Sequence, residues 1–395
     1  MESVQPLSPF SSDCTASSEV NTMGYIRRPS YYKNFQCISS RCTDSCCTEW
    51  EIDIDSDTLA FYQQVPGAFG KRLQEHIALP SEETDEPAHF IQTADERCPF
   101  LNDCNLCDIF IHLGEEHLSQ ICTHHPRFYD WFLNGEEAGL GLCCEEAARL
   151  ILLETGFPEF ELLEDGLENE ISKDEDICFE EKIEQTLFSM RDQLFHQIKS
   201  DSAPVKGKSI ADFDELMNSL FRTAVHMQDT LDTLMFPSGE EEDTSCFELP
   251  SGFEDFSVRF WNDTSLDSLL GFFLSLEIND PNWWNQLNSL KKNSSRILLA
   301  RKDFADFYQE KFYEYEQLLI YFLYRHFMKA RIDGALLDAV RFALISSCMI
   351  QVLDIDTWLK TGTLDPVQQV DICKLYSKEI EYDEDNTLRL SMYGL

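Results

Sequence analysis

Cys37-Ile38-Ser39-Ser40-Arg41-Cys42-Thr43-Asp44-Ser45-Cys46-Cys47 places four cysteines within eleven residues, and the rest of the chain is read outward from it. Downstream follow Arg97-Cys98-Pro99-Phe100-Leu101-Asn102-Asp103-Cys104-Asn105-Leu106-Cys107, then Cys122 before His124-His125-Pro126-Arg127, then Cys143-Cys144 ahead of Glu145. Disulfides, a metal site and chance burial are the three accounts open to such a cluster. The N-terminal residues carry no basic segment leading into an apolar one, so the expected compartment is the reducing cytoplasm. There, clustered cysteines serve as metal ligands or reactive thiols more often than as bridges. Chance burial suits the scattered Cys178, Cys246, Cys348 and Cys373, but not four groups within one segment. A metal site is the favoured reading.

The spacing leaves the metal open. Zinc sites usually show two C-x2-C knuckles, and only Cys104 and Cys107 are spaced that way. Iron–sulfur ligands vary more in spacing. The carboxylates Asp53, Asp55 and Asp57 lack the loop glycine and terminal glutamate of a calcium loop. No role as a ligand is assigned to His112, His117, His124 or His125.

The chain has 395 residues, with 72 acidic against 31 basic side chains and a net charge of −41. Such a field repels nucleic acid and anionic membrane surfaces. The apolar run Leu318–Tyr324 is cut by Arg325-His326, far short of the ~20 residues a membrane span needs, and reads as a core helix. No membrane insertion is expected. Residues 1–23 read as a disordered extension, 24–155 as the cysteine-rich domain, 156–182 as an acidic linker and 183–395 as a mainly helical domain. Tyr25–Pro29 reads as a solvated lead-in strand and Trp50–Ile54 as a short strand. Asp55 or Ser56 then caps a helix reaching Val65, and Gly114 stops one that begins after Cys107. Glu145–Glu154 reads as an amphipathic helix sealing the cysteine domain. The pair Gly139 and Gly141 lacks the rest of a dinucleotide fingerprint and reads as a turn. The fold class expected is mainly α: a metal-cluster domain with short strands, followed by a helical domain.

The ordered elements C-x4-C-x3-C-C, C-P-F-L, L-C-x-I, C-x3-P-R and L-x-C-x-E-A-A-R-L resemble the flagellin lysine-N-methylase (FliB) family. That family's cysteine core is similar to iron- or zinc-chelating cysteine domains. The likeness covers Tyr25 to about Leu153 and, more weakly, Phe312 to Leu353. It implies methyl transfer from S-adenosylmethionine to flagellin lysines by an enzyme holding an iron–sulfur cluster, of [4Fe–4S] type, with zinc the alternative. The family cysteines fall on Cys37, Cys42, Cys46, Cys47, Cys98, Cys107, Cys122 and Cys144. Cys104 and Cys143 depart from the pattern, as does His125, where an aromatic is usual. Eight positions exceed the four thiolates one cluster uses, leaving two sites or some non-ligands open. The competing function is a non-enzymatic metal or redox module that binds a protein partner. No catalytic or cofactor-binding residue follows from the sequence.

Overall fold

A computed structural model describes residues 20–48, 50–80, 87–156, 158–171, 175–201, 209–236 and 255–394. Most of the expected extension, and Cys246 with it, lies outside the described residues.

The chain enters on β1 (Val20–Pro29), which becomes an internal strand. Its neighbours are β4 (Arg127–Phe132), β5 (Gly135–Leu140) and β6 (Phe160–Ile171), in the order β4-β5-β1-β6. β1 runs parallel to β5, with Tyr25 opposite Gly135, and antiparallel to β6, with Arg28 opposite Glu161. β4 and β5 form an antiparallel hairpin with Phe128 opposite Gly139. The lead-in strand is therefore not solvated. Arg28 pairs with Glu161 at 3.3 Å, and the strand begins inside the span read as an extension. The acidic linker is corrected in the same way: β6 and the start of α6 (Glu175–Asp201) occupy it. Its acids suit a sheet edge because Arg28 and Lys33 answer Glu161. The Gly139 turn is also corrected. Gly139 lies within β5 because the Phe128 ring stands where its Cβ would be, and Gly141 lies as closely under the Tyr382 hydroxyl.

Between β1 and β4 lies a small unit. Asp55 caps α1 (Ser56–Tyr62), its side chain accepting the Thr58 N–H, and α2 (Gly67–Glu75) follows after Pro66. The two-residue strands β2 (Ile77–Ala78) and β3 (His89–Phe90) pair with each other. The expected strand at 50–54 reduces to a bridge from Asp53 to His89, flanked by Ile54 N–H to Ala88 and Phe90 N–H to Ile52. The helices α3 (Asp108–Leu113) and α4 (Gln120–His124) complete the unit, with α3 ending at Gly114 in a positive-φ conformation. Ile52, Ile54, Tyr62, Leu73, Phe90, Cys98, Phe100 and Ile109 form its own small core.

The amphipathic helix α5 (Glu145–Leu152) does not seal that core. Its Ala147, Ala148, Ile151 and Leu152 belong to a second, much larger core built on the helical body. The body continues through α7 (Ile210–Met235), α8 (Phe256–Phe260), α9 (Asp263–Phe273), α10 (Pro281–Tyr308), α11 (Tyr313–His326), α12 (Ala330–Asp333), α13 (Leu336–Thr361), α14 (Pro366–Ile380) and α15 (Glu384–Ser391). Leu318–Tyr324 forms part of α11 as expected and is buried throughout. Among the described residues one helix, α13, is long and apolar enough to cross a membrane, and most of it is packed inside the body. The architecture is mainly α, with a few strands in the N-terminal region.

The sheet is joined to the body by buried charge. Arg191 on α6 reaches Glu137 on β5 with both Nη atoms, one of them at 2.8 Å, and also donates to the Tyr324 carbonyl at 3.2 Å. Both charged side chains are almost fully buried, so each is tolerable only because of the other. The Tyr324 hydroxyl adds hydrogen bonds to the carbonyls of Arg27 and Ala138, at 2.8 and 3.2 Å.

Candidate metal centre

The cysteine-bearing loops meet where the small unit abuts the body. After β1, the chain runs over the large core through Tyr32 and Phe35 before reaching Cys37. The Cys37 sulfur accepts the Ser39 N–H at 3.4 Å. Cys42 follows a short 3-10 turn, and its thiol lies 3.5 Å from Glu145 Oε2. The same carboxylate oxygen accepts the Thr43 N–H at 2.7 Å and the Thr43 hydroxyl at 2.6 Å. Burial opposes ionisation of Glu145, yet these bonds hold it below the usual carboxylate range. Asp44 is tied to α14 through Lys378 at 2.7 Å and Lys374 at 3.6 Å. The first cysteine loop is thus anchored on the body by two carboxylates.

Cys46 and Cys47 lie at the seam. The Cys46 carbonyl accepts the Trp50 indole N–H at 2.9 Å, while its thiol hydrogen-bonds with the Cys47 thiol. The Cys47 carbonyl accepts the Cys98 N–H at 2.8 Å, joining the first loop to the second. Cys98 is buried in the small core, and Cys47, Cys107 and Cys122 pack against it. Cys107 caps α3, and Cys122 sits within α4. Arg72 on α2 holds the loop between Cys98 and Cys107, reaching Asp108 and the Pro99 carbonyl at 2.7 Å each. Cys144 caps α5 and packs against the large core.

The two departures from the family pattern differ in setting. Cys104 is exposed on a turn where its N–H donates to Asn102 Oδ1 at 2.9 Å. Cys143 is buried 4.0 Å from His125 Nε2, beside Tyr382, Arg325 and Cys144. The histidines are occupied by rings: His117 stacks on Phe61, His112 lies on Phe69, His124 meets Tyr129 edge-on, and His125 stacks on Trp50.

Burial dominates the thiol electrostatics, raising Cys42, Cys98 and Cys122 to about 12 and Cys144 to about 11. Neighbouring thiols add to it: Cys122 and Cys107 act on Cys98, Cys144 on Cys42, and Cys46 and Cys37 on Cys144. For Cys46 the hydrogen bond with Cys47 comes first and burial second. All eight predicted positions are therefore brought to one region, and Cys104 is left out of it. Among the described residues, no three His, Cys, Asp or Glu side chains already converge in a geometry that would hold a metal ion. What fits a metal is the donor chemistry. Buried thiols raised by burial and by one another become stable thiolates once a soft cation supplies the missing positive charge, with release of protons.

Sequence reading missed the residues that mount this region. The Tyr321 hydroxyl accepts the Leu142 N–H at 3.1 Å, and Arg325 donates to the same oxygen at 2.7 Å. Glu381 lies 3.1 Å from that hydroxyl and 2.8 Å from His326 Nε2. Burial pushes Glu381 up, but Arg325 and His326 outweigh it and hold the carboxyl below the usual range. Asp44, Lys374 and Lys378 were missed too. Their one legible signal is the pair of lysines four apart on one helix face.

One comparison with known proteins bears on the helical body. The family described as the FliB lysine N-methylase C-terminal domain matches residues 180–393. A lysine-N-methylase of Salmonella choleraesuis is 30% identical over 129 residues, which is 32% of this chain and 32% of that protein. A flagellar biosynthetic protein FliU of Salmonella muenchen is 29% identical over 129 residues, 32% of this chain and 76% of its own length. The aligned part thus spans about a third of the curated lysine-N-methylase. No solved structure matches. Because the matched domain takes up more than half of the chain and comprises nearly all of the helical body, the chain belongs to the FliB lysine N-methylase family.

Proposed function

We propose that this chain is an S-adenosylmethionine-dependent lysine N-methyltransferase that acts on flagellin, and that its clustered cysteines hold an iron–sulfur centre. The observation that carries the reading is the family domain at residues 180–393 with the cysteine loops mounted directly on it through Asp44 and Leu142. The lysine-N-methylase and flagellar names belong to the relatives, and they supply the reaction class and the substrate proposed here.

Methyl transfer to a lysine amine requires the neutral amine in line with an electrophilic methyl group, so alignment and exclusion of water dominate the catalytic demand. The net charge of −41 would favour encounter with a lysine-bearing segment and disfavour nucleic acid. The ligands of the centre would come from Cys37, Cys42, Cys46, Cys47, Cys98, Cys107, Cys122 and Cys144, four to a cluster. When bound, such a centre would supply an iron–sulfur core ligated by thiolates and able to exchange electrons. The chain's own contribution is to bury those thiols and to fix their loops against α5, α11 and α14.

The test is co-expression with flagellin and measurement of intact flagellin mass. Mass increments of whole methyl groups on lysines, dependent on S-adenosylmethionine in the purified reaction, are expected. Unmodified flagellin, with metal-loaded enzyme and both folded and unfolded flagellin supplied, would overturn the proposal.

A further inference from the structure

The sheet ends on β4, and that edge is open. β4 pairs with β5 on one side, and no other strand flanks it among the described residues. Its side chains alternate between two faces. On one of them Phe128 meets Tyr324, Phe132 meets Phe188, and Asp130 pairs with Arg331 at 3.0 Å, so that face is committed to the helical body. Arg127, Tyr129 and Trp131 share the other. Arg127 lies over the Phe35 ring, and the Tyr129 hydroxyl is 3.3 Å from that of Tyr32. Trp131 lies beyond them. It stacks on Tyr129 with centroids 6.1 Å apart and is 66% exposed, more than any other tryptophan among the described residues.

An exposed edge strand offers unpaired backbone N–H and C=O groups, and chains usually guard it with lysine, proline or a bulge. β4 contains neither lysine nor proline, and it pairs with β5 from Arg127 to Phe132 without a register shift. Carboxylates stand at both ends of its aromatic row. Glu136 lies directly across the hairpin from Trp131 and has no ion-pair partner among the described residues. At the other end His124, edge-on to Tyr129, lines an open cleft together with the exposed Asp53.

We infer that β4 is the docking edge for the protein substrate, an extended lysine-bearing segment that adds as a further strand beside it and lays a lysine ammonium against Trp131 and Glu136. Strand addition supplies backbone hydrogen bonds that any sequence can make, and the side chains of one face then select. An indole face attracts an ammonium through its quadrupole, and a carboxylate beside the ring reinforces this. The net charge of −41 chooses the occupant: it repels a second copy of this chain, whose own β4 could otherwise pair here, and attracts a cationic segment. The inference rests on the proposed reading that the substrate is a lysine-bearing protein, and it adds where that protein is held. Trp131 and Glu136 hold the segment and take no part in the transfer, so their loss moves KM rather than kcat.

The experiment uses the full chain purified without air, with monomeric flagellin as the probe. Hydrogen exchange of wild type, read by mass spectrometry, should show residues 127–132 gaining protection when flagellin is added. In the methylation assay Trp131→Ala should raise KM for flagellin about fivefold, and Glu136→Gln about twofold, with kcat little changed. Trp131→Lys should raise KM further, because it places a like charge on the edge. Trp284→Ala, which removes an exposed tryptophan of α10, should leave both constants unchanged. Flagellin that is methylated while β4 stays unprotected and Trp131→Lys keeps the wild-type KM would overturn the docking edge and leave the proposed function standing. Protection of β4 that follows the chain's own concentration instead of flagellin would overturn it in favour of pairing between copies. Flagellin bound on β4 but never methylated would support the edge and overturn the proposed function, and flagellin neither bound nor methylated would overturn both.

Discussion

In the helical body, buried arginines are answered by buried carboxylates, whereas in the cysteine region buried thiols meet hydrogen-bond donors and one another. Arg191 has Glu137, and Glu381 has Arg325 and His326. Cys98 and Cys107 meet backbone N–H groups and Cys122 the Ser119 side chain, yet burial pushes all three toward the neutral form. The contrast shows which region the chain completes by itself. The body's buried ion pairs are complete as they stand, while Glu314 and Asp354 are held by the Tyr308 and Tyr315 hydroxyls. The cysteine region is the part that gains from an added cation, and its small core has little apolar area to spare for stability.

The sharpest way to break this comparison is to unbalance the body. Arg191→Met leaves Glu137 buried without its main partner, and such a loss typically costs ~3–5 kcal/mol. Arg27 still lies 3.5 Å from Glu137, which places the expected effect toward the lower end of that range. The double variant Arg191→Met/Glu137→Gln should recover much of the loss, as read by denaturant unfolding. A single variant as stable as wild type would mean that the body does not depend on paired charge, and the contrast would collapse.

A smaller effect sharpens the comparison, because some carboxylates of the body are raised by burial, Glu184 among them. Glu184 on α6 is buried and accepts the Leu133 N–H at 3.2 Å. Burial raises it to about 7, helped by Glu180 and Asp130 and opposed by the Leu133 bond and Arg331. A carboxyl raised on folding binds its proton more tightly in the folded state. Its contribution to stability is fully present below the unfolded value near 4.5 and is lost as the pH rises through about 7. Glu184→Gln keeps the acceptor for Leu133 and removes the titration. It should be neutral at low pH and stabilising above neutrality, by on the order of 1–3 kcal/mol. Thermal midpoints measured across pH check this, and an equal effect at all pH values would refute it.

Local chemistry made part of this molecule readable. Cysteine grouping located the candidate centre, Gly114 marked the end of α3, and the spacing of Ala147, Ala148 and Ile151 marked α5 as amphipathic. The partner of α5 was not readable, since periodicity defines an apolar face but not what covers it. The sheet was hidden for a related reason. β1 pairs with β5 and β6 across more than a hundred residues, and the Arg28–Glu161 pair is invisible until the strands lie side by side. An acidic run with no local counter-charge therefore reads as a linker. The mounting network of Tyr321, Arg325 and Glu381 was equally silent, because each residue alone reads as an ordinary member of a core helix.

The account depends most on the claim that the thiols gathered at the seam exist to hold a soft metal. The most direct measurement is iron, zinc and acid-labile sulfide per chain in full-length protein purified and kept without air. Iron with matching sulfide is the result expected, giving a brown protein that loses both on chelation. A folded protein that never contains more than trace metal, or that carries stoichiometric zinc with no iron or sulfide, would contradict it.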